Sequence, residues 1–279
     1  MANRGTAELT IDAGRRAGLL QGLRELWWFR TLVLAFAERD VRVKYKQAVL
    51  GFAWAVLQPL GFLAVFSLFF GRVARISGDG VPYSAFALSA LVPWLFLQTA
   101  VMQGAQSLLT DAGLVRKVYF PREVPVLGAV LSAGLDFVIA FGLLLALGPA
   151  LGMHLSLMTA LAIPLWLALA LLASGVALAV GALNVYYRDF RYALPFLIQL
   201  WMFGSPVVYP LSAVPAGWRP YYVTLNPAAG LLDGFRHVTA LGSLPDWNVT
   251  AVAVAVSALV ALLGYWLFKR IEPGFADAI

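Results

Sequence analysis

From residue 49 onward, long apolar runs alternate with short charged stretches. Six apolar segments stand out, over 49–70, 83–109, 124–149, 157–183, 192–209 and 249–268. A helix needs about 20 apolar residues to cross the hydrocarbon of a bilayer, and each segment is close to that length. The first carries Gln58-Pro59 at its middle. The fifth is the shortest and is interrupted by Pro195, Gly204 and Pro206. Backbone in hydrocarbon must satisfy its own hydrogen bonds, so the runs predict helices. A stretch such as ALALLASGVALAVGAL lacks the in–out alternation of a membrane barrel strand. The pattern therefore predicts an all-α membrane protein with six transmembrane helices.

Three less apolar regions complete the frame. Residues 19–37 are apolar but carry Arg24, Glu25 and Arg30 around Trp27 and Trp28. That mixture predicts an amphipathic helix lying in the membrane interface, where indole rings favour the headgroup level. Residues 38–48 form a charged stretch before the first span. Residues 210–247 form a long external loop, and its segment AAGLLDGFRHVTAL is too short and too mixed to span. It reads as a re-entrant element between spans five and six, dipping into the bundle where protein or water surrounds it. Residues 1–18 are polar, and the stretch after Arg15-Arg16 is broken by Arg24 and Glu25, so no cleavable leader is expected. The expected division is 1–37 as cytoplasmic tail and interface helix, and 38–279 as one six-span domain.

Charge sets the orientation. With the N-terminus inside, the inner segments hold 16 of the 20 Lys and Arg residues. The outer segments hold only Arg72, Arg75, Arg219 and Arg236. Basic residues favour the cytoplasmic side, so both termini are expected there, in a multi-pass protein of the cell inner membrane.

Composition narrows the chemistry. The 279 residues are 61% hydrophobic and 12% charged, against about 45–50% and 25% for a soluble domain. The mean hydropathy of +0.82 agrees. There is no cysteine, which excludes disulfides and thiolate metal sites, and only His154 and His237 are present. The basic residues sit in short segments between apolar runs, which argues against nucleic acid as partner. No G-x-x-x-x-G-K-[ST] is present, so the chain cannot cradle ATP in a P-loop. No G-x-S-x-G, H-E-x-x-H or paired-carboxylate constellation is present either. No catalytic residue, metal or cofactor is assigned, and the chain is not expected to be an enzyme.

What polar chemistry remains lies inside the spans. Asp136 is the one acid deep in an apolar segment. It is either a pore or proton site, or a carboxyl bonded to Ser132 or to a neighbouring helix. Thr99, Gln103, Gln106 and Thr110 recur at i, i+4, i+7 and i+11, so they share one helical face. Such a face either lines a hydrated path or joins helices. Phe62, Phe66, Phe69 and Phe70 in the first span, Trp94 and Phe96 in the second, and Trp201, Phe203 and Tyr209 in the fifth are aromatic. They suit either packing and anchoring or contact with sugar rings.

Local motifs add a family resemblance. Arg39-Asp40-Val41-Arg42-Val43-Lys44-Tyr45-Lys46, Leu50-Gly51-Phe52-Ala53-Trp54 and Gln58-Pro59-Leu60 resemble the segment leading into the first span of polysaccharide ABC exporter permeases. Arg116-Lys117-Val118-Tyr119-Phe120-Pro121-Arg122-Glu123-Val124-Pro125 and Asn184-Val185-Tyr186-Tyr187-Arg188-Asp189 resemble the family's second and third cytoplasmic loops. Ser205-Pro206-Val207-Val208-Tyr209, Asn226-Pro227 and Phe235-Arg236 follow in the same order.

The resemblance implies a type-2 ABC transporter permease of the O-antigen, capsule or teichoic-acid group, with O-antigen the first choice. Such permeases form homodimers and bind two copies of a separate ATPase, which holds the ATP and Mg. They export a lipid-linked polysaccharide through a channel between the two permeases. On that reading Arg39, Asp40, Arg42, Arg116, Lys117, Arg122, Glu123, Arg188 and Asp189 are the candidates for coupling to the ATPase. Phe62, Phe66, Trp94, Gln103, Trp201 and Tyr209 are the candidates for lining the channel. The competing readings are a type-2 exporter of a drug or small lipid, a membrane-embedded transferase on lipid-linked sugars, and a secondary transporter.

Overall fold

A computed structural model describes residues 19–46, 51–76, 78–187 and 189–275. Among these residues every regular element is helical. The chain opens with α1 (Leu19–Trp28) and α2 (Arg30–Lys46), separated at Phe29. Then come α3 (Ala53–Phe66), which continues as a π-helical stretch over Ser67–Val73, and α4 (Tyr83–Thr110). The short α5 (Ala112–Lys117) precedes α6 (Glu123–Leu147) and α7 (Ala162–Tyr186). The rest is α8 (Phe190–Phe203), α9 (Arg219–Leu225), α10 (Pro227–Arg236) and α11 (Trp247–Ile271).

Five helices are long and apolar enough to cross a membrane, over Ala53–Val73, Tyr83–Thr110, Glu123–Leu147, Leu157–Tyr186 and Trp247–Gly274. They match five of the six expected segments. The remaining one, the fifth, 192–209, is occupied by α8 and a turn; α8 has 14 residues, or about 21 Å of helix.

α4 forms the centre of the bundle and packs on α3, α6, α7 and α10. Lipid offers apolar side chains no reason to leave it, so helices associate in membranes through close packing and small residues. The α4–α7 seam obeys this: Gly104 faces Ala177, Gly181 faces Ala105, and Asn184 Nδ2 donates to Ala105 O at 3.0 Å. α7 and α11 approach more closely still. A Cβ placed on Gly264 would lie 2.1 Å from Gly175 O, so neither position has room for a side chain.

The expected interface helix is two helices, and the second does more than lead into span one. α2 lies along α6 and buries Phe36, Ala37 and Tyr45, with Phe36 packed over Gly128. The apolar α10, expected to dip into the bundle, is buried among α4, α7 and α11. Its Phe235 meets the rings of Phe137 and Phe141 at 6.1 and 5.7 Å. Those rings lie roughly two to three turns from the Leu147 end of α6, so α10 sits beside the membrane helices rather than beyond their ends.

Candidate functional site

Arg39, Arg122 and Lys269 meet their partners at one end of the bundle, where α5 forms a corner between α4 and α6. Val115 turns inward and is buried. Leu114, Arg116, Lys117, Val118 and Tyr119 all face out. α5 is thus a small amphipathic helix with a basic and apolar outer face.

Behind it lies a charge cluster. Arg39 Nη1 and Nη2 donate to the two oxygens of Asp111, each at 2.7 Å, in a fork-on-carboxylate pair. Arg39 also donates to Asp40 Oδ1 and lies over the Phe36 ring at 4.5 Å. These bonds, Asp111's most of all, raise the Arg39 pKa above its ordinary value. Burial raises that of Asp40, with Arg39 opposing the shift. Arg42 is exposed and pairs with Glu38 one turn back.

Arg122 and Glu123 face inward. Arg122 Nη1 donates to Glu272 O at 2.6 Å. Glu123 is 0% exposed, and its Oε1 lies 2.5 Å from Lys269 Nζ, which also donates to Glu272 at 3.0 Å. Tyr186 OH donates to Ile271 O at 3.2 Å. The end of α11 thereby ties down both the α5–α6 and the α7–α8 corners. Asp189 is exposed, and Arg188 lies outside the described residues.

The polar face of α4 is its accessible side toward this end. Thr99, Gln103 and Gln106 are half-buried and Thr110 is exposed, while most of the remaining helix is buried. Asp136 is not bonded to Ser132. Lys44 and Tyr45 of α2 both reach its carboxylate, and the three side chains line a small pocket with Trp54, Gln58 and Thr99. The sequence offered the alternative of a neighbouring helix, and that is what binds it.

The aromatic candidates fall into two groups, Trp94 with Trp201 and Phe62 with Phe66. Trp94 and Trp201 meet edge-on at 5.8 Å. Trp201 Nε1 donates to Asn226 Oδ1 at 2.8 Å, and the hydroxyls of Tyr209 and Tyr222 lie 3.1 Å apart. Trp201 and Tyr209 are part-exposed, whereas Trp94 is 0% exposed and presents no surface in the single chain. Phe66 is buried, between Phe62 and Phe70 at 5.8 and 5.5 Å; Phe62 is half-buried.

Around these rings, side chains from three regions hold the turn after α8. Gly204 O accepts from Tyr222 OH at 2.7 Å and from Asn226 Nδ2 at 3.0 Å. Pro206 O accepts from Arg236 Nη2 at 2.6 Å, and Val208 O from Tyr83 OH at 3.0 Å. Asn226-Pro227 starts α10, with proline in the first helical turn where it costs no bond. Arg236 is 2% exposed and lies over the Phe86 ring at 3.6 Å.

Sequence reading did not single out Asp111, Lys269, Glu272 or Tyr222. Asp111 carried a signal, since it directly follows the polar stripe of α4. Lys269 and Glu272 sit about 150 residues from Arg122 and Glu123, and nothing local marks such a pairing.

A bundle of long apolar helices, with a polar face on α4 and a basic end carrying an outward corner helix, defines a multi-pass membrane protein. Residues 31–239 match the ABC-2 type transporter family, and the chain belongs to it. It is a multi-pass protein of the inner membrane. It is 30% identical over 267 residues to the O-antigen export system permease protein RfbA of Myxococcus xanthus, covering 94% of this chain and all of that one. It is 25% identical to the RfbA of Klebsiella pneumoniae, over 89% of this chain and 95% of that one. It is 22% identical to the polysialic acid transport protein KpsM of Escherichia coli, over 87% and 94%.

Proposed function

We propose that this chain is the membrane subunit of an ATP-driven polysaccharide exporter, with a lipid-linked polymer such as O-antigen as cargo. The observation that carries the reading is similarity along nearly the whole chain to permeases named for O-antigen and polysialic acid. The basic end faces the cytoplasm, as the excess of Lys and Arg there favours, and both termini lie on that side.

α8 is the fifth of six crossings. The satisfied carbonyls of Gly204, Pro206 and Val208 support this, because non-helical backbone at membrane depth needs partners from protein. α10 is the re-entrant element, with Arg236 and Asn226 of its two ends supplying those partners.

Two copies of the chain enclose the channel, and two copies of a separate ATPase dock below and bind the ATP and Mg. The outer face of α5 with Leu114, Arg116 and Lys117, continued by Val118 and Tyr119 just beyond it, is the docking surface, joined by Asp189. The polymer path runs along Thr99, Gln103 and Gln106 and past Trp201 and Tyr209. Weak aromatic and amide contacts of this kind let a polymer slide without a single tight site. Depleting the chain tests the reading: polymer should build up at the cytoplasmic face while the surface goes bare. Normal surface polymer would leave a drug or small lipid as the better cargo.

A further inference from the structure

The segment before the first span packs along α6 and is also held by charged side chains at two points, which differ in kind. Arg39 grips Asp111, the residue between α4 and α5, with both ends of its guanidinium. Asp111 is nearly buried, and its backbone carbonyl accepts from Leu114 and Val115 at 2.9 and 3.0 Å, so it is part of the α5 turn itself. Phe36 backs the same joint against Phe120, just beyond α5, at 5.7 Å. Roughly one and a half turns further along α2, Lys44 and Tyr45 reach Asp136 on α6. Lys44 is a point charge on a flexible stem and is about one-third exposed. A guanidinium fork fixes direction, whereas an ammonium tolerates sliding.

We infer that the Arg39–Asp111 pair is the rigid joint through which movement of α5 reaches the first membrane span, with Lys44–Asp136 as the sliding contact at the far end of α2. The inference rests on the exporter reading above. α5 has no other charged link to α2 among the ion pairs of the described residues. α2 leads toward α3, so a displacement of the corner helix turns or lifts α2 and with it the first span. Asp136 then guides the end of α2 along α6 and keeps the Lys44 charge neutralised during the movement. Arg39 is accordingly a positioning residue that touches neither cargo nor ATPase.

The test is charge reversal in the permease–ATPase complex reconstituted in liposomes. ATP hydrolysis and polymer export are measured together, with complex assembly checked by co-purification. Arg39→Asp and Asp111→Arg should each lower polymer exported per ATP by about tenfold or more, the scale of a lost charge-assisted pair. The double variant should regain most of that loss, as coupled neighbours do. Arg39→Lys, which keeps the charge but not the fork, should fall between.

Should the single reversals fail to assemble, Arg39→Lys and Asp111→Asn carry the comparison. Single variants that export as well per ATP as the unaltered chain would overturn the joint. So would a double variant that assembles and remains uncoupled. If the unaltered complex exports no polymer, the exporter reading fails, and the joint is read from permease-stimulated ATP hydrolysis in the same variants.

Discussion

Glu123, in the first turn of α6, and Lys269, in the last turns of α11, are joined at 2.5 Å in a site where the carboxylate has no exposed surface. The pair closes the bundle at its basic end. Removing one partner of a buried ion pair leaves the other charge stranded and costs about 3–5 kcal/mol. Lys269→Met should therefore lower the detergent-solubilised protein's thermal stability strongly. Adding Glu123→Gln should recover part of the loss, since the stranded charge is gone. Thermal unfolding of the two variants side by side checks this.

The Gly175–Gly264 crossing makes a second prediction. Gly264→Ala places a methyl within 2.1 Å of Gly175 O and leaves α7 and α11 no choice but to separate. Forced overpacking costs about 1–3 kcal/mol or more. Gly61 and Gly142 face no atom within 4 Å, so alanine there should be nearly neutral. Yield of monodisperse protein by size-exclusion chromatography separates the two classes.

Arg236 should matter for order in the turn after α8. Arg236→Met removes the donor to Pro206 O and leaves that buried carbonyl unpaired, a cost of about 1–3 kcal/mol. Amide hydrogen exchange across the turn after α8 should accelerate, while exchange in α6 and α7 stays as before.

Asp136 gives the fourth prediction. If its work is to hold Lys44 and Tyr45, Lys44→Met with Asp136→Asn should keep more export than Lys44→Met alone, which leaves the carboxylate without its cation. A proton-relay role would instead make every Asp136 variant equally inactive. Export rates of Lys44→Met, Asp136→Asn and the double variant decide.

The sequence pattern made most of the bundle legible because membrane spans are marked by their own local composition. The two ends of that pattern were harder. Residues 192–209 are mostly apolar, yet α8 ends at Phe203 after 14 residues, just before Gly204 and Pro206 and with Pro195 inside it, and side chains from distant elements satisfy the turn that follows. The charged segments were visible in the sequence, but the partners of their members were not. Arg122 and Glu123 turn inward to the end of α11, and Arg39 turns inward to Asp111, whereas Arg116 and Lys117 face out. A run of charges does not say which members meet a partner within the chain. Trp94 likewise stood out by residue type, and burial against Trp201 gives it a packing neighbour rather than a free face.

The most direct test of the central claim uses inverted inner-membrane vesicles that hold this chain and its ATPase, loaded outside with labelled lipid-linked polysaccharide. On adding ATP, polymer should become protected from an added glycosidase. Protection should be lost in a Gln103→Trp variant that narrows the polar path on α4 but still hydrolyses ATP. Polymer that stays open to the glycosidase, while the unaltered complex assembles and hydrolyses ATP, would contradict polysaccharide export by this chain.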